Sequence, residues 1–240
     1  MSIQFSVGPQ RIHLITPHST ISDQLEVVER MGRLCYRSKG KVKPYDAKFI
    51  KRLIDNHHES VLEHCHFTVI LHTDISVIRQ IVRHRLASPS EQSGRYVNFT
   101  TSDKRGVNME FIYPPDYKAL VAAGLWDKHI KKLESELEEY EERIALTSKP
   151  QNARRSLSLE MATNYGLTAN LREWRHIFKM RLDRAAEPQT RKLVYEIYKV
   201  IHKWWPFLVE DIKPYTDDLD ELEPVEVIDS PNVDSDPYGI

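Results

Sequence analysis

The sequence predicts an α+β fold in which a central antiparallel or mixed sheet is flanked by helices. Segments with apolar groups at every second position are interspersed with segments of helical period, and no regular succession of strand and helix emerges. With eight glycines, the chain also lacks the G-x-G-x-x-G and G-x-x-x-x-G-K-[ST] patterns of dinucleotide-binding and P-loop folds. Its 240 residues suffice for one large or two small domains.

The N-terminal half is predicted to contain short strands and amphipathic helices. In chain order the predicted elements are strands at 3–7 and 11–15, a helix at 21–37, a helix from Pro44, and a strand at 64–73. Ser76 is the expected N-cap of a short helix that ends at the run Arg83-His84-Arg85. Pro89 and Gly94 then predict a tight loop.

The C-terminal half is predicted to be mostly helical. In chain order its predicted elements are a strand at 109–113, a long, heavily charged helical segment at 116–146, helices at 150–161, 170–184 and 188–205, and a short strand at 165–169. Acidic side chains dominate the long segment, which is typical of a solvated surface or interface helix. On the helix at 170–184, Arg172 and His176 share one face, whereas Arg181 lies about 180° from Arg172.

Charge divides the chain into two parts. Residues 210–240 carry eleven acidic residues and one lysine, whereas residues 1–209 carry 33 basic and 24 acidic residues. We therefore expect one folded domain at 1–209 and an acidic C-terminal extension at 210–240, largely disordered beyond about residue 217. A basic body suits phosphate-bearing ligands or nucleic acid. Two cysteines, no evident signal peptide and no long apolar run favour a cytoplasmic location.

The segment from Arg83 to Arg95 concentrates three arginines, one histidine and several hydroxyl and amide groups. Guanidinium groups match phosphate and carboxylate geometry, so the segment predicts a pocket for an anionic ligand. A metal site in the stretch His57–His66 is disfavoured, because His58 and His64 are six residues apart and point to different helix faces. The remaining alternative is a non-enzymatic nucleotide- or nucleic-acid-binding module, with salt-sensitive binding as its mark.

The pattern Arg83-His84-Arg85-x7-Ser93 resembles that of the flavin-dependent thymidylate synthases, as does the wider run RHRLASPSEQSGRY. The stretch HHESVLEH, Arg154 and the segment Asn170 to Arg181 match the same family in order. The resemblance implies a homotetramer with active sites at subunit interfaces that converts dUMP to dTMP by reductive methylation. It further implies tightly bound FAD, with methylenetetrahydrofolate and NADPH as co-substrates, and no enzyme nucleophile.

The resemblance also assigns site residues. Those matching FAD contacts are Ser60, Arg83, His84, Arg85, Glu91, Asn170, Arg172 and His176. Those matching dUMP contacts are Gln80, Arg83, Glu91, Gln92, Ser93, Gly94, Arg95, Arg154 and Arg181. Arg181 is the expected catalytic group, facing the uracil imide, and Ser93 is expected to position the substrate. His176 stands where the family also has Asn, and His58 is a further candidate contact of the flavin ring.

Overall fold

A computed structural model of the chain describes residues 3–40, 44–100 and 109–229. Its main sheet has five strands in the order β4-β6-β3-β2-β7, namely β2 Arg11–Leu14, β3 His66–Asp74, β4 Ala87–Glu91, β6 Ala162–Asn170 and β7 Glu226–Asp229. All neighbours are antiparallel except β2 and β7, which are parallel. β1 Phe5–Gly8 and β5 Met109–Ile112 form a separate parallel pair. The predicted mixed sheet is therefore confirmed.

Eight α-helices are described: α1 His18–Cys35, α2 Ala47–Asp55, α3 Ile75–Ile81, α4 Tyr117–Ala122, α5 Trp126–Thr147, α6 Pro150–Ala153, α7 Leu171–Arg181 and α8 Pro188–Trp204. A 3₁₀ segment, Glu59–His64, leads into β3. Helices α1, α2, α7 and α8 flank the main sheet around one apolar core, and α5 covers a second core beside the two-stranded sheet. None of the described helices is long and apolar enough to span a membrane.

The strand β3 forms the centre of the main core. Phe67, Val69 and Leu71 are fully buried, as their alternation predicts. The neighbouring strand β6 is longer than predicted, because the expected helix at 150–161 is limited to α6 and a 3₁₀ turn at Arg154–Ser156. β6 ends at Asn170, whose side chain caps α7. The sheet thereby fixes where α7 begins.

Three local predictions are wrong, each for a physical reason. Asp74, not Ser76, caps α3, because its carboxylate accepts the Val77 N–H at 2.7 Å. The long segment divides into α4 and α5 at Gly124, whose φ of +67° ends the first helix. Residues 87–91 form the edge strand β4 rather than a loop, since an edge strand tolerates Pro89.

The expectation of disorder beyond about residue 217 is wrong for residues 217–229. Leu219 is buried, Asp218 forms an ion pair with the buried Arg191, and β7 extends the sheet beside β2. Two acidic groups of this segment, Asp218 and Glu223, therefore have basic partners on the body, Arg191 and Lys118. The remaining residues of the extension lie outside the described part, and the division of the chain at residue 209 stays a prediction.

Candidate functional site

The end of α3 places the basic run Arg83-His84-Arg85 at the wall of a cavity. In the segment just after the last turn of α3, the side chain of His84 is buried, whereas those of Arg83 and Arg85 are exposed. The cavity has a volume of about 640 Å³ and lies between this run, the end of β6, α7 and the 3₁₀ segment. Its size falls within the range of small-molecule and cofactor sites.

Six of the residues predicted to contact FAD line this one cavity. They are Arg83, His84, Arg85, Asn170, Arg172 and His176. Ser60 is exposed on the 3₁₀ segment and is not among the lining residues. Glu59 and Glu63 of the same segment line the cavity instead. Glu91 lies at the far end of β4, outside the lining. His58 contacts the Tyr36 hydroxyl and is likewise not among the lining residues.

His84 links the cavity to Arg181. Its Nε2 accepts a hydrogen bond from Arg181 Nε at 3.0 Å, and its Nδ1 lies 3.4 Å from Glu173 Oε1. Burial, followed by the charges of Arg181 and His176, lowers the pKa of His84 to about 4. Because a guanidinium can only donate, the proton of the neutral ring belongs on Nδ1, facing Glu173. His84 is therefore an uncharged, oriented ring at neutral pH.

This arrangement bears on metal binding. Among the described residues, the group with metal-ligand geometry is His84, Glu173 and His176, whose ligand atoms all lie within 4.8 Å of one another, and not the stretch 57–66. Arg181 occupies the Nε2 lone pair of His84, which leaves the protonated Nδ1 toward the other two groups. A metal needs a free lone pair and is repelled by a nearby guanidinium. The geometry therefore favours hydrogen bonding to an organic ligand.

Helix α7, together with its N-cap residue Asn170, supplies another wall of the cavity. The Asn170 side chain accepts the Glu173 N–H at 2.9 Å, so this cap holds the helix N-terminus at the cavity. Burial raises the pKa of Glu173, and His176 opposes that rise. Arg172 reaches across to Glu63 Oε1 at 2.5 Å and is half exposed. Anionic ligands are favoured here by the helix N-terminus as well as by the arginines.

Arg181 lies at the other end of α7, on the opposite face from Arg172 as its spacing predicts. Its Nη2 donates to the Gln80 carbonyl at 2.7 Å, and its Nη1 lies 3.5 Å from Gln80 Oε1. Burial, and then the charge of Arg83, lower the pKa of Arg181, yet a guanidinium stays charged at neutral pH. Arg181 is thus a fixed, partly desolvated cation.

A second group of predicted site residues lies at the far end of β4. The Gly94 backbone packs against Arg154, where an added Cβ would meet Arg154 Cδ at 3.5 Å. Arg95 Nε donates to Gln151 Oε1 at 3.0 Å. Burial raises the pKa of Glu91, against the opposing charge of Arg154. Two arginines, Arg95 and Arg154, therefore lie close to the Gly94 backbone at this end of β4.

The predicted dUMP set is accordingly divided in one chain. Gln80, Arg83 and Arg181 belong to the cavity end, whereas Glu91–Arg95 and Arg154 belong to the far end. β4 has five residues, so its two ends are roughly 13 Å apart at about 3.3 Å per residue. Within one chain the nine residues therefore form two groups at opposite ends of β4.

Comparison with known proteins identifies the family. The family model described as thymidylate synthase complementing protein (Thy1) matches residues 18–207. The chain belongs to this family. The Thy1 chain is 31% identical over 206 residues to the flavin-dependent thymidylate synthase of Mycobacterium sp. (strain KMS), covering 79% of this chain and 80% of the relative. It is 29% identical over 208 residues to the probable flavin-dependent thymidylate synthase of Mycobacterium phage L5, covering 81% and 84%.

A solved structure supports the fold of the Thy1 chain. The UMP/dUMP methylase PolB from Streptomyces cacaoi, bound with 5-Br dUMP, superposes with a TM-score of 0.66 at 19% identity. The match covers 87% of this chain and 96% of that chain. At this identity the likeness bears on the fold alone. The resemblance inferred from Arg83-His84-Arg85-x7-Ser93 is thus confirmed at the level of the family.

Several cavity residues of this Thy1 chain were not predicted. Glu173, Lys179, Glu59 and Glu63 line the cavity beside the arginines. Glu173 could have been found, because Asn170 followed three residues later by Glu173 is a capping pattern that places both at a helix start. The two glutamates of the 3₁₀ segment carry no comparable local signal.

The low pKa of His84 predicts acid-sensitive stability. An unfolded histidine binds a proton below about pH 6.5, whereas folded His84 does so only below about pH 4. Between these values the unfolded state binds more protons, so the free energy of unfolding falls as pH falls. We expect His84→Gln to lose less stability over pH 6.5 to 4 than the wild type, by on the order of 1 kcal/mol after solvent screening. Urea titrations across that range measure it; identical losses in both proteins would contradict the assignment.

Proposed function

We propose that this chain is a flavin-dependent thymidylate synthase. It converts dUMP to dTMP, with methylenetetrahydrofolate as the carbon donor and NADPH as the reductant of FAD. The observation that carries this is the convergence of six predicted FAD residues on one cavity, in a chain of the Thy1 family. The alternative of a non-enzymatic nucleic-acid-binding module rested on the charge of the body alone.

The cavity suits a dinucleotide flavin. Arg83, Arg85 and Arg172 offer donors for a pyrophosphate, and the N-terminus of α7 adds its positive dipole end. His84 and Asn170 offer neutral hydrogen-bonding groups suited to ring and ribose atoms. When bound, FAD supplies the hydride that reduces the transferred one-carbon unit to a methyl group. The residues of the chain bind, orient and shield it from water.

The divided dUMP set supports a shared site between protomers. The cavity end of one chain would face the far end of β4 of another, so that Arg95 and Arg154 hold the phosphate while Arg181 reaches the base. This proposal accounts for two groups of residues that lie at opposite ends of β4 within one chain. It also agrees with the homotetramer that the family resemblance implies.

Arg181 has the geometry of an electrostatic catalyst. Its contacts with the Gln80 carbonyl and His84 Nε2 hold the guanidinium in place before substrate arrives. Negative charge builds up on the uracil imide as the C5=C6 bond is polarised to make C5 nucleophilic, before C5 bonds to the carbon donor. A preorganised, partly buried cation stabilises that charge more than it stabilises the neutral ground state. Because His84 is neutral, it accepts a hydrogen bond from Arg181 without neutralising the positive charge that Arg181 offers to the substrate.

Ser93 is expected to position dUMP rather than to attack it. A serine hydroxyl needs an adjacent base, and His84, at the other end of β4, is engaged by Arg181. We expect Ser93→Ala to raise the KM for dUMP about 3- to 10-fold while retaining a measurable kcat. Steady-state kinetics with varied dUMP measure this; complete loss of turnover with unchanged dUMP affinity would support a nucleophilic role instead.

Flavin content tests the proposal. The purified protein, or the protein reconstituted with FAD, should show the near-ultraviolet and visible absorption bands of an oxidised flavin. Denaturation should release FAD, identified by chromatography. Failure to take up added FAD at any concentration tested would contradict the function proposed.

A further inference from the structure

A chain of polar contacts, partly buried at its inner end and exposed at its outer end, runs across the sheets to Gln92. Arg11 on β2 forms two hydrogen bonds with Glu110 on β5, at 3.0 and 2.7 Å. Glu110 Oε2 lies 3.1 Å from His72 Nε2 on β3, and His72 Nδ1 lies 2.8 Å from Asn164 Oδ1 on β6. Asn164 Nδ2 then donates to Gln92 Oε1 at 2.9 Å. Five side chains thereby connect the interior to a predicted dUMP contact.

The charge at the inner end of this chain is fixed. Burial alone would raise the pKa of Glu110, but the contacts from His72 and Arg11 lower it to about 2. Glu110 is therefore a carboxylate, which can only accept hydrogen bonds. The Asn164 oxygen beside His72 Nδ1 also only accepts, so His72 is the donor in that contact.

The contact between His72 and Asn164 determines how Gln92 is turned. With Asn164 Oδ1 engaged by His72, the Asn164 amino group points to Gln92 and must meet its oxygen. The Gln92 N–H also donates to the Asn164 carbonyl at 2.9 Å, which holds the two residues in register. The Nε2 amino group is consequently the end of Gln92 directed to a ligand. A free glutamine amide could present either end, whereas this one presents a donor.

We propose that Arg11, Glu110, His72 and Asn164 form a positioning relay that fixes Gln92 as a hydrogen-bond donor to an acceptor oxygen of the nucleotide. The inference rests on the proposed binding of dUMP beside Arg95 and Arg154. Phosphate oxygens and uracil carbonyls both accept hydrogen bonds, so either can be the partner. Arg11 lies outside residues 18–207 matched by the family model, so the relay draws on a part of the chain beyond that match.

The substitution Asn164→Asp tests the relay, because an aspartate at this position only accepts hydrogen bonds. Gln92 must then turn its amino group inward and present its oxygen to the ligand. We expect the Kd for dUMP, measured by titration calorimetry on the FAD-loaded protein, to rise about 10-fold. The neutral Asn164→Ala frees the amide and should raise it about 3-fold. Asn56→Asp, an exposed helix-end residue on α2, is the matched control and should leave Kd unchanged.

A Gln92→Ala background separates reorientation from plain charge repulsion. There, Asn164→Asp and Asn164→Ala should each change Kd less than 2-fold, because no amide is left to orient. An equal penalty in both backgrounds, or no penalty in either, overturns the relay while dUMP binding by the wild type still supports the proposed function. A wild type that fails to bind dUMP overturns both. The same series with deoxyuridine identifies the group that Gln92 contacts. The increase in Kd on Asn164→Asp persists if that group is a base carbonyl and disappears if it is the phosphate; either result supports the relay.

Discussion

Replacing Arg181 with alanine should lower kcat roughly 100- to 1,000-fold, the range found when one preorganised donor to a developing anion is removed. FAD content should stay close to that of the wild type, because Arg181 is not among the residues lining the cavity and is hydrogen-bonded to the lining residue His84. Arg181→Lys should recover little, since an ammonium cannot hold both the Gln80 carbonyl and His84 in the fork geometry of the guanidinium.

Arg184→Ala is the matched control for this loss. Arg184 is an exposed arginine just after α7, with its guanidinium 5.5 Å from the Tyr215 ring. We expect it to retain near-normal turnover. Single-turnover rates with pre-reduced enzyme separate chemistry from flavin reduction in both variants. A near-normal rate of chemistry in Arg181→Ala would remove Arg181 from the mechanism.

The second large effect is expected at the ion pair between Arg172 and Glu63. If Arg172 binds the pyrophosphate of FAD, Arg172→Ala should weaken FAD binding roughly 10- to 100-fold, as for the loss of a charge-assisted hydrogen bond. Glu63→Gln removes the competing carboxylate from the same cavity wall. It should leave FAD binding unchanged or tighter.

Opposite outcomes for the two partners distinguish ligand binding from a structural ion pair. If the pair only stabilised the fold, both variants would weaken FAD binding by similar amounts. Because both side chains are about half exposed, such a pair contributes little to stability. Titration of each apoprotein variant with FAD, monitored through the quenching of flavin fluorescence, gives the dissociation constants of Arg172→Ala and Glu63→Gln. Equal weakening in the two variants would contradict the assignment of Arg172.

Much of the cavity could be predicted from the sequence, because its residues lie near the ends of elements with clear signals. α3 ends at the basic run, and the Asn170 cap fixes the start of α7, so Arg83 and Arg172 come together once the sheet forms. The family pattern supplied the roles. The division of the dUMP set was implied only by the family resemblance, which places active sites at subunit interfaces. Local sequence patterns did not predict it, since it follows from residues 87–91 pairing with β6 as an extended strand.

The C-terminal segment shows a different limit of sequence reasoning. Its composition is typical of disorder, yet residues 217–229 are held by specific long-range contacts such as Asp218 with Arg191. The relay to Gln92 was equally invisible, because Arg11, Glu110, His72 and Asn164 come from four different strands. Pairing register, rather than local pattern, brings such side chains together.

Tritium release from C5 of labelled dUMP tests the central claim most directly. The purified protein, supplied with FAD, NADPH and methylenetetrahydrofolate, should release tritium and form an equal amount of dTMP. Removing the bound FAD, or omitting the folate, should stop both. Formation of dTMP without any requirement for flavin, or the absence of tritium release from a protein fully loaded with FAD, would contradict the account.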